Sequence, residues 1–295
     1  MIEASQPSTE ASPIAHQPFA ATEFLMCPPT HYTTSFFLNP WLRYWEDVDP
    51  ALAREQWAQL KRTIEQCGAS VRLIEPLAES PAMVFTADTA IVYAPKTAMV
   101  LRNDGPRSQI EATSVQRWLA DDGFLTEVLP PAYTIDGGNV LRLAPDQYLI
   151  GLKPGSPGKS ERYVSRLVQR FAASRMRPIA LHDRRFLHLD TVVGNLGGRA
   201  LLTFWEGMLP ISRDYLATEV ELPTIAVAQE DAERFACNCI TIGNHIITGL
   251  VSDELASQIE AVGFKVHRLD MSEFYKAGGG AKCLTLPLAY GNDQG

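Results

Sequence analysis

The sequence predicts an α/β protein in which a strand–strand–helix–strand unit recurs about five times, at a period of roughly 50–55 residues. Two observations carry this. Apolar residues at helical spacing, ended by glycine, alternate with short runs rich in Val, Ile and Leu. Paired strand-like runs separated by turn residues precede each helical stretch. A period in this range fits a closed radial array. It equally fits an α/β sandwich with a mixed sheet.

The elements follow in order. Residues 1–22 read as a polar, mobile tail, with the ordered chain starting at FLMCPP, 24–29. In residues 50–68, Leu52, Trp57, Leu60 and Ile64 mark one helix face and Gly68 its stop. SVRLIEPL (70–77) is a strand, MVFTADTAIVYA (83–94) and TAMVLR (97–102) are β-like, a helix lies near 107–121, and LTEVLPP (125–131) is a strand. The pattern recurs as paired strands in 137–154, a helix over 160–174 and a strand at 177–182. FLHLDTVVGNL (186–196) and RALLTFW (199–205) form the next strand pair, and a helix lies near 229–235. A strand–turn–strand over 238–249, a capped helix over 252–263 and a strand at 264–270 precede the C-terminal segment. Residues 23–295 then form a single domain.

The balance of 26 Lys+Arg against 34 Asp+Glu gives a net charge of −8 with no basic cluster. This disfavours nucleic acid and anionic membranes as partners. No run approaches the ~20 apolar residues that span a bilayer. The N-terminus lacks the basic flank and apolar run of a signal peptide. The five cysteines are an odd number without framework spacing, which reads as reduced thiols in the cytoplasm.

Several residues could carry chemistry. Cys283 follows the glycine run Gly278–Gly280, which would let a ligand approach the backbone, unlike Cys67, Cys237 and Cys239 in ordinary structural contexts. The Cys237–Cys239 spacing lacks the second pair that a metal site needs, so no metal is expected. Strand alternation places His188 on one face with Asp190. Asp136 precedes Gly137–Gly138 and could simply bond a turn backbone. Asp88 interrupts an apolar strand, so it is edge-exposed or meets a cation. Asn39 precedes a proline and could start a turn. These groups are scattered over four of the five units, and the centre of a radial array would bring them together.

MCPPTHYTTSFFLNPW, FTADTA, DGGNVL, HLDT and KAGGGAKCLTLPL occur in this order. Over roughly residues 24–290 the chain resembles the guanidino-group-modifying enzymes of the pentein fold, meaning arginine deiminases, dimethylargininases and amidinotransferases. Its MCPP…NPW start is most similar to the dimethylargininase-like and arginine dihydrolase-like branch. The resemblance implies a five-bladed α/β propeller with a central active site. Cys283 would be the nucleophile, His188 the general acid and base, and Asp136 the acid that orients it. Asp88 would clamp the guanidinium, with Asn39 and Asp190 as further substrate-binding positions. Arg102 or Arg107 would hold an α-carboxylate. Lys153 lies close to where a second such arginine is expected. Ala87 stands where dimethylargininases usually carry Glu, and Asp88 where dihydrolase relatives carry Asn.

The implied activity is hydrolysis of a guanidino compound through a covalent cysteine thioether, releasing ammonia or an alkylamine without a cofactor. Amidino transfer to an amine and a non-catalytic binding protein are the alternatives. The implied partner is a small guanidino substrate, and a homodimer is compatible with the family.

Overall fold

The computed structural model describes residues 19–34, 47–103, 108–172 and 175–291. Fifteen strands among them form five three-stranded sheets of one topology. In four of these the first strand pairs antiparallel with the second, a helix follows, and the third strand returns parallel to the second. The first such sheet joins β3 (Ala90–Ala94), β4 (Thr97–Val100) and β5 (Leu125–Val128). The next joins β6 (Val140–Ala144), β7 (Gln147–Leu152) and β8 (Arg175–Ala180). The third joins β9 (Val193–Asn195), β10 (Leu201–Thr203) and β11 (Thr224–Ala226), and the fourth β12 (Ile240–Ile242), β13 (His245–Thr248) and β14 (Lys265–Arg268).

The remaining sheet closes the ring. β1 (Ala21–Met26) lies between β2 (Ser70–Leu73), parallel to it, and the last strand β15 (Leu286–Tyr290), antiparallel to it. The two ends of the chain thus share one blade, so the ring has no seam that tears without unpairing a strand. The architecture is the five-bladed propeller, not the mixed-sheet sandwich.

The helices cover the sheets. α1 (Pro50–Gln66) starts at Asp49, whose carboxylate accepts from the Ala51 and Leu52 N–H groups, and carries Pro50 in its first turn. It buries Trp57, Leu60 and Ile64, each worth about 1.5–3 kcal/mol of apolar transfer. Gly68 follows at φ 97°, a left-handed conformation that ends the helix cheaply. α2 (Ser108–Asp121), α3 (Lys159–Ala172) and α4 (Pro210–Glu219) serve the next three sheets, and α5 (Gln229–Ala232) is a single turn. α6 (Asp253–Ala261) is capped by the Ser252 hydroxyl, which accepts from the Leu255 N–H. α7 (Ser272–Tyr275) leads to the C-terminal segment.

Three expectations change. The tail boundary at Thr22 moves toward the N-terminus: Phe19 to Ala21 are buried, and Phe19 stacks on Tyr290 with ring centroids 4.6 Å apart. Residues 1–18 of that expected tail lie outside the described residues. α4 and β11 were not expected; Pro210 sits at the first helical position of α4, where its missing N–H costs nothing. The predicted strands over 83–94 and 186–196 begin as 3-10 turns, at Thr86–Asp88 and Leu189–Thr191, and become strands only at Ala90 and Val193. Among the described residues, no helix is long and apolar enough to cross a membrane.

Candidate active site

Four of the five propeller units make a short 3-10 turn just before the first strand of their three-stranded pattern, and these turns carry the chemistry. Thr86–Asp88, Gly137–Asn139, Leu189–Thr191 and Lys282–Leu284 are all short 3-10 turns. A residue in such a turn does not follow the two-residue alternation of a strand. The alternation argument that put His188 and Asp190 on one strand face is therefore wrong in form. His188 is the residue before its turn, and Asp190 lies within it.

The turns touch because glycines let them. A Cβ on Gly137 would stand 2.0 Å from the Ala87 carbonyl oxygen. A Cβ on Gly138 would stand 2.8 Å from His188 Nδ1 and 3.1 Å from carboxylate oxygens of both Asp190 and Asp88. The Asp-Gly-Gly sequence is thus the floor on which three catalytic candidates meet. Asn139 ties the second unit to the next, its Oδ1 accepting from the Leu189 N–H at 3.3 Å.

His188 sits between two acids. Its Nε2 is 3.1 Å from Asp136 Oδ2, and its Nδ1 is 3.6 Å from Asp88 Oδ1. Asp88 Oδ1 also accepts from the Gly138 N–H at 3.1 Å. The Lys153 ammonium bonds Asp136. Burial pulls the imidazole down, but the two carboxylates more than reverse this and raise it to about 9. Burial lifts the Asp88 carboxyl to about 6, with His188 opposing and Asp136 and Asp190 adding to the rise. Asp136 feels the same burial, but His188 and Lys153 hold it below the usual carboxylate range.

Cys283 is buried at 2% exposure. Burial raises its thiol well above the ordinary value, the Asp190 and Asp88 charges push it further, and Lys282 opposes them. Lys282 Nζ lies 2.8 Å from Asp190 Oδ2. The other Asp190 oxygen, Oδ1, is buried with no donor among the described residues.

The glycine run before Cys283 has a different cause from the one the sequence suggested. It makes room for protein rather than for a ligand. A Cβ on Gly279 would stand 2.4 Å from the Phe85 ring, and one on Gly280 3.0 Å from Asn238 Oδ1. Asn238 is the residue that sequence reasoning missed. Its Oδ1 accepts from the Cys283 N–H at 3.0 Å, and its Nδ2 donates to Cys283 Sγ at 3.1 Å. A signal was present: Asn238 lies 48 residues after Asp190 and 45 before Cys283, near the recurrence interval of the units.

Of the remaining expected site residues, Arg102 is engaged by Gln109 and pairs its backbone with Ile135. Its guanidinium makes no ion pair with the catalytic acids among the described residues. Asn39 and Arg107 lie outside the described residues. A cavity of about 100 Å³ runs along the inner strands of all five sheets. Ala87, Gly137 and Lys282 line it, whereas their neighbours Asp88, Asp136 and Cys283, and His188, do not.

No family model matches the chain. It is 34% identical over 268 residues to the bifunctional arginine dihydrolase/ornithine cyclodeaminase ArgZ of Synechocystis, covering 89% of this chain and 37% of that protein. The chain thus spans little more than a third of that curated relative. It is 26% identical to the N(G),N(G)-dimethylarginine dimethylaminohydrolase of Mycobacterium tuberculosis, over 90% of this chain and 85% of that protein. The solved N-terminal domain of ArgZ, a cyanobacterial arginine dihydrolase with product bound, matches with a TM-score of 0.82 at 32% identity. That match covers 90% of this chain and 97% of the domain.

Proposed function

The chain belongs to the guanidino-group-modifying enzymes of the pentein fold, in the branch that holds arginine dihydrolases and dimethylargininases, and we propose that it hydrolyses a small guanidino compound through a thioether on Cys283. One observation carries the reading. Asp190 Oδ1 is a buried acceptor with no donor among the described residues, and it stands with Asp88 around the Gly138 floor. A planar cation with N–H groups on several edges is the ligand that satisfies such a set.

The chemistry follows from the charges. Before substrate arrives, the upward shifts of both groups keep the thiol protonated and the imidazole charged. An arriving guanidinium offsets the Asp88 and Asp190 charges that hold the thiol up, and the thiol loses its proton to solvent. Sulfur then attacks the guanidinium carbon. The C–N bond to the leaving amine breaks as the His188 imidazolium protonates that nitrogen. The neutral imidazole next takes a proton from water, which attacks the amidino carbon. Collapse expels the sulfur and leaves a urea-type carbonyl. Of the two protons released, one restores the imidazolium and the other returns to the thiol. Asp136 holds the imidazole in place throughout, with Lys153 balancing its charge. Asn238 donates to the sulfur in the states where it is anionic.

Reduced cysteines suit a cytoplasmic setting, and all five are free. Mass spectrometry of reactions with arginine, methylarginines, agmatine and guanidino acids tests the proposal. A urea-type product from at least one of them is expected. Amidino transfer to an amine with no hydrolysis, or no product from any of them, would overturn it.

A further inference from the structure

A second group of chemically competent side chains lies away from the catalytic turns. β13 and β14 run parallel with His245 opposite Lys265 and Ile247 opposite His267. His245 and His267 are therefore diagonal neighbours on one sheet face. Cys67 ends α1, the helix of the blade that closes the ring. The three side chains meet where that helix lies against the fourth sheet. His245 Nδ1 is 3.0 Å from His267 Nε2, Cys67 Sγ is 3.5 Å from the same nitrogen, and the three atoms all lie within 4.8 Å of one another. All three residues are half-buried.

Hydrogen bonding alone satisfies this group poorly. The ring nitrogen His267 Nε2 has either one proton or one lone pair. Two polar atoms converge on it, so one is badly served whichever tautomer is present. A cation that accepts three lone pairs resolves the conflict. A tetrahedral zinc ion, with bonds of about 2.0–2.1 Å to nitrogen and 2.3 Å to sulfur, sets its ligand atoms roughly 3.4–3.6 Å apart. The observed 3.0 and 3.5 Å are within a few tenths of that.

The Lys265 ammonium lies near enough to act on both His267 and Cys67. Lys265 is the opposing feature, a like charge facing an incoming cation.

We propose that Cys67, His245 and His267 bind a divalent transition metal of the zinc type, with a fourth position open to water. On binding, three lone pairs coordinate the ion and the Cys67 thiol proton leaves to solvent. The ion then joins α1 of the closing blade to β13 and β14. This site is independent of the catalytic turns, which hold their own His and carboxylates.

Cobalt(II) and zinc titrations of the full chain carrying Cys283→Ser test it, because that background removes the catalytic thiolate. One equivalent of cobalt should give a sulfur-to-metal charge-transfer band. Adding Cys67→Ser should abolish the band, and adding His245→Gln should weaken binding at least tenfold. Zinc should raise the melting temperature of the Cys283→Ser protein and leave the Cys67→Ser double variant unmoved. Absence of the band, a band that survives Cys67→Ser, or a zinc shift equal in both proteins would overturn the proposal. Cys67→Ser alone should retain metal-free turnover of guanidino compounds, which separates this inference from the catalytic one.

Discussion

Asn238 grips Cys283 at two points, accepting its backbone N–H and donating to its sulfur, from the one propeller unit that contributes no ionisable catalytic group. A donor at 3.1 Å favours the thiolate over the thiol. Asn238→Ala should slow alkylation of Cys283 by iodoacetamide at fixed pH by about 10- to 100-fold, the worth of a hydrogen bond to a charged group of about 1.5–3 kcal/mol. The pH profile of alkylation should move upward. An unchanged profile would mean that Asn238 only supports the backbone.

The pH dependence of kcat/KM has an unusual form. The resting thiol titrates far above its ordinary value and His188 near 9, so the competent thiolate–imidazolium pair has one proton fewer than the resting site. As pH falls through about 9 that proton is regained, and kcat/KM should drop about tenfold per unit. As pH falls further through about 6, Asp88 also gains a proton and loses its hold on the cation, so the slope should steepen. Asp88→Asn should raise KM and remove the second break. A flat profile between these values would contradict the charge arrangement.

Lys153 lowers the His188 pKa while it balances Asp136. Lys153→Met should therefore shift the upper break in the kcat/KM profile to higher pH. A lysine that only read the far end of the substrate would change KM without moving that break.

Gly138 is constrained by space. Its Cβ would meet His188 Nδ1 and two carboxylates at once. Gly138→Ala should cost about 10²-fold in kcat by displacing the imidazole, while circular dichroism and melting temperature stay near those of the parent. Parent-like turnover would show that the turns have slack.

Much of this was legible in the chain. The helical faces of Trp57, Leu60 and Ile64, the Gly68 stop and the recurrence of paired strands lead to five units. Closure of the ring was not readable from them, because the pairing of β1 with β15 joins residues at opposite ends of the chain and leaves no local pattern. The 3-10 turns were read as strand because Phe85, Ile135 and Leu187 are apolar neighbours whose spacing a strand would share. Asn238 was passed over because an amide has no titration or metal chemistry to advertise it. The glycines before Cys283 were given to a ligand when Phe85 and Asn238 occupy that space, a contact visible only once two distant units are folded together.

The most direct test is intact-mass measurement on acid-quenched turnover, with the parent and Cys283→Ser compared on a guanidino substrate that the parent hydrolyses. An amidino adduct that maps to Cys283 in the parent, with neither adduct nor turnover in the folded Cys283→Ser protein, is the predicted result. Turnover that persists in Cys283→Ser, or an adduct on another residue, would contradict it.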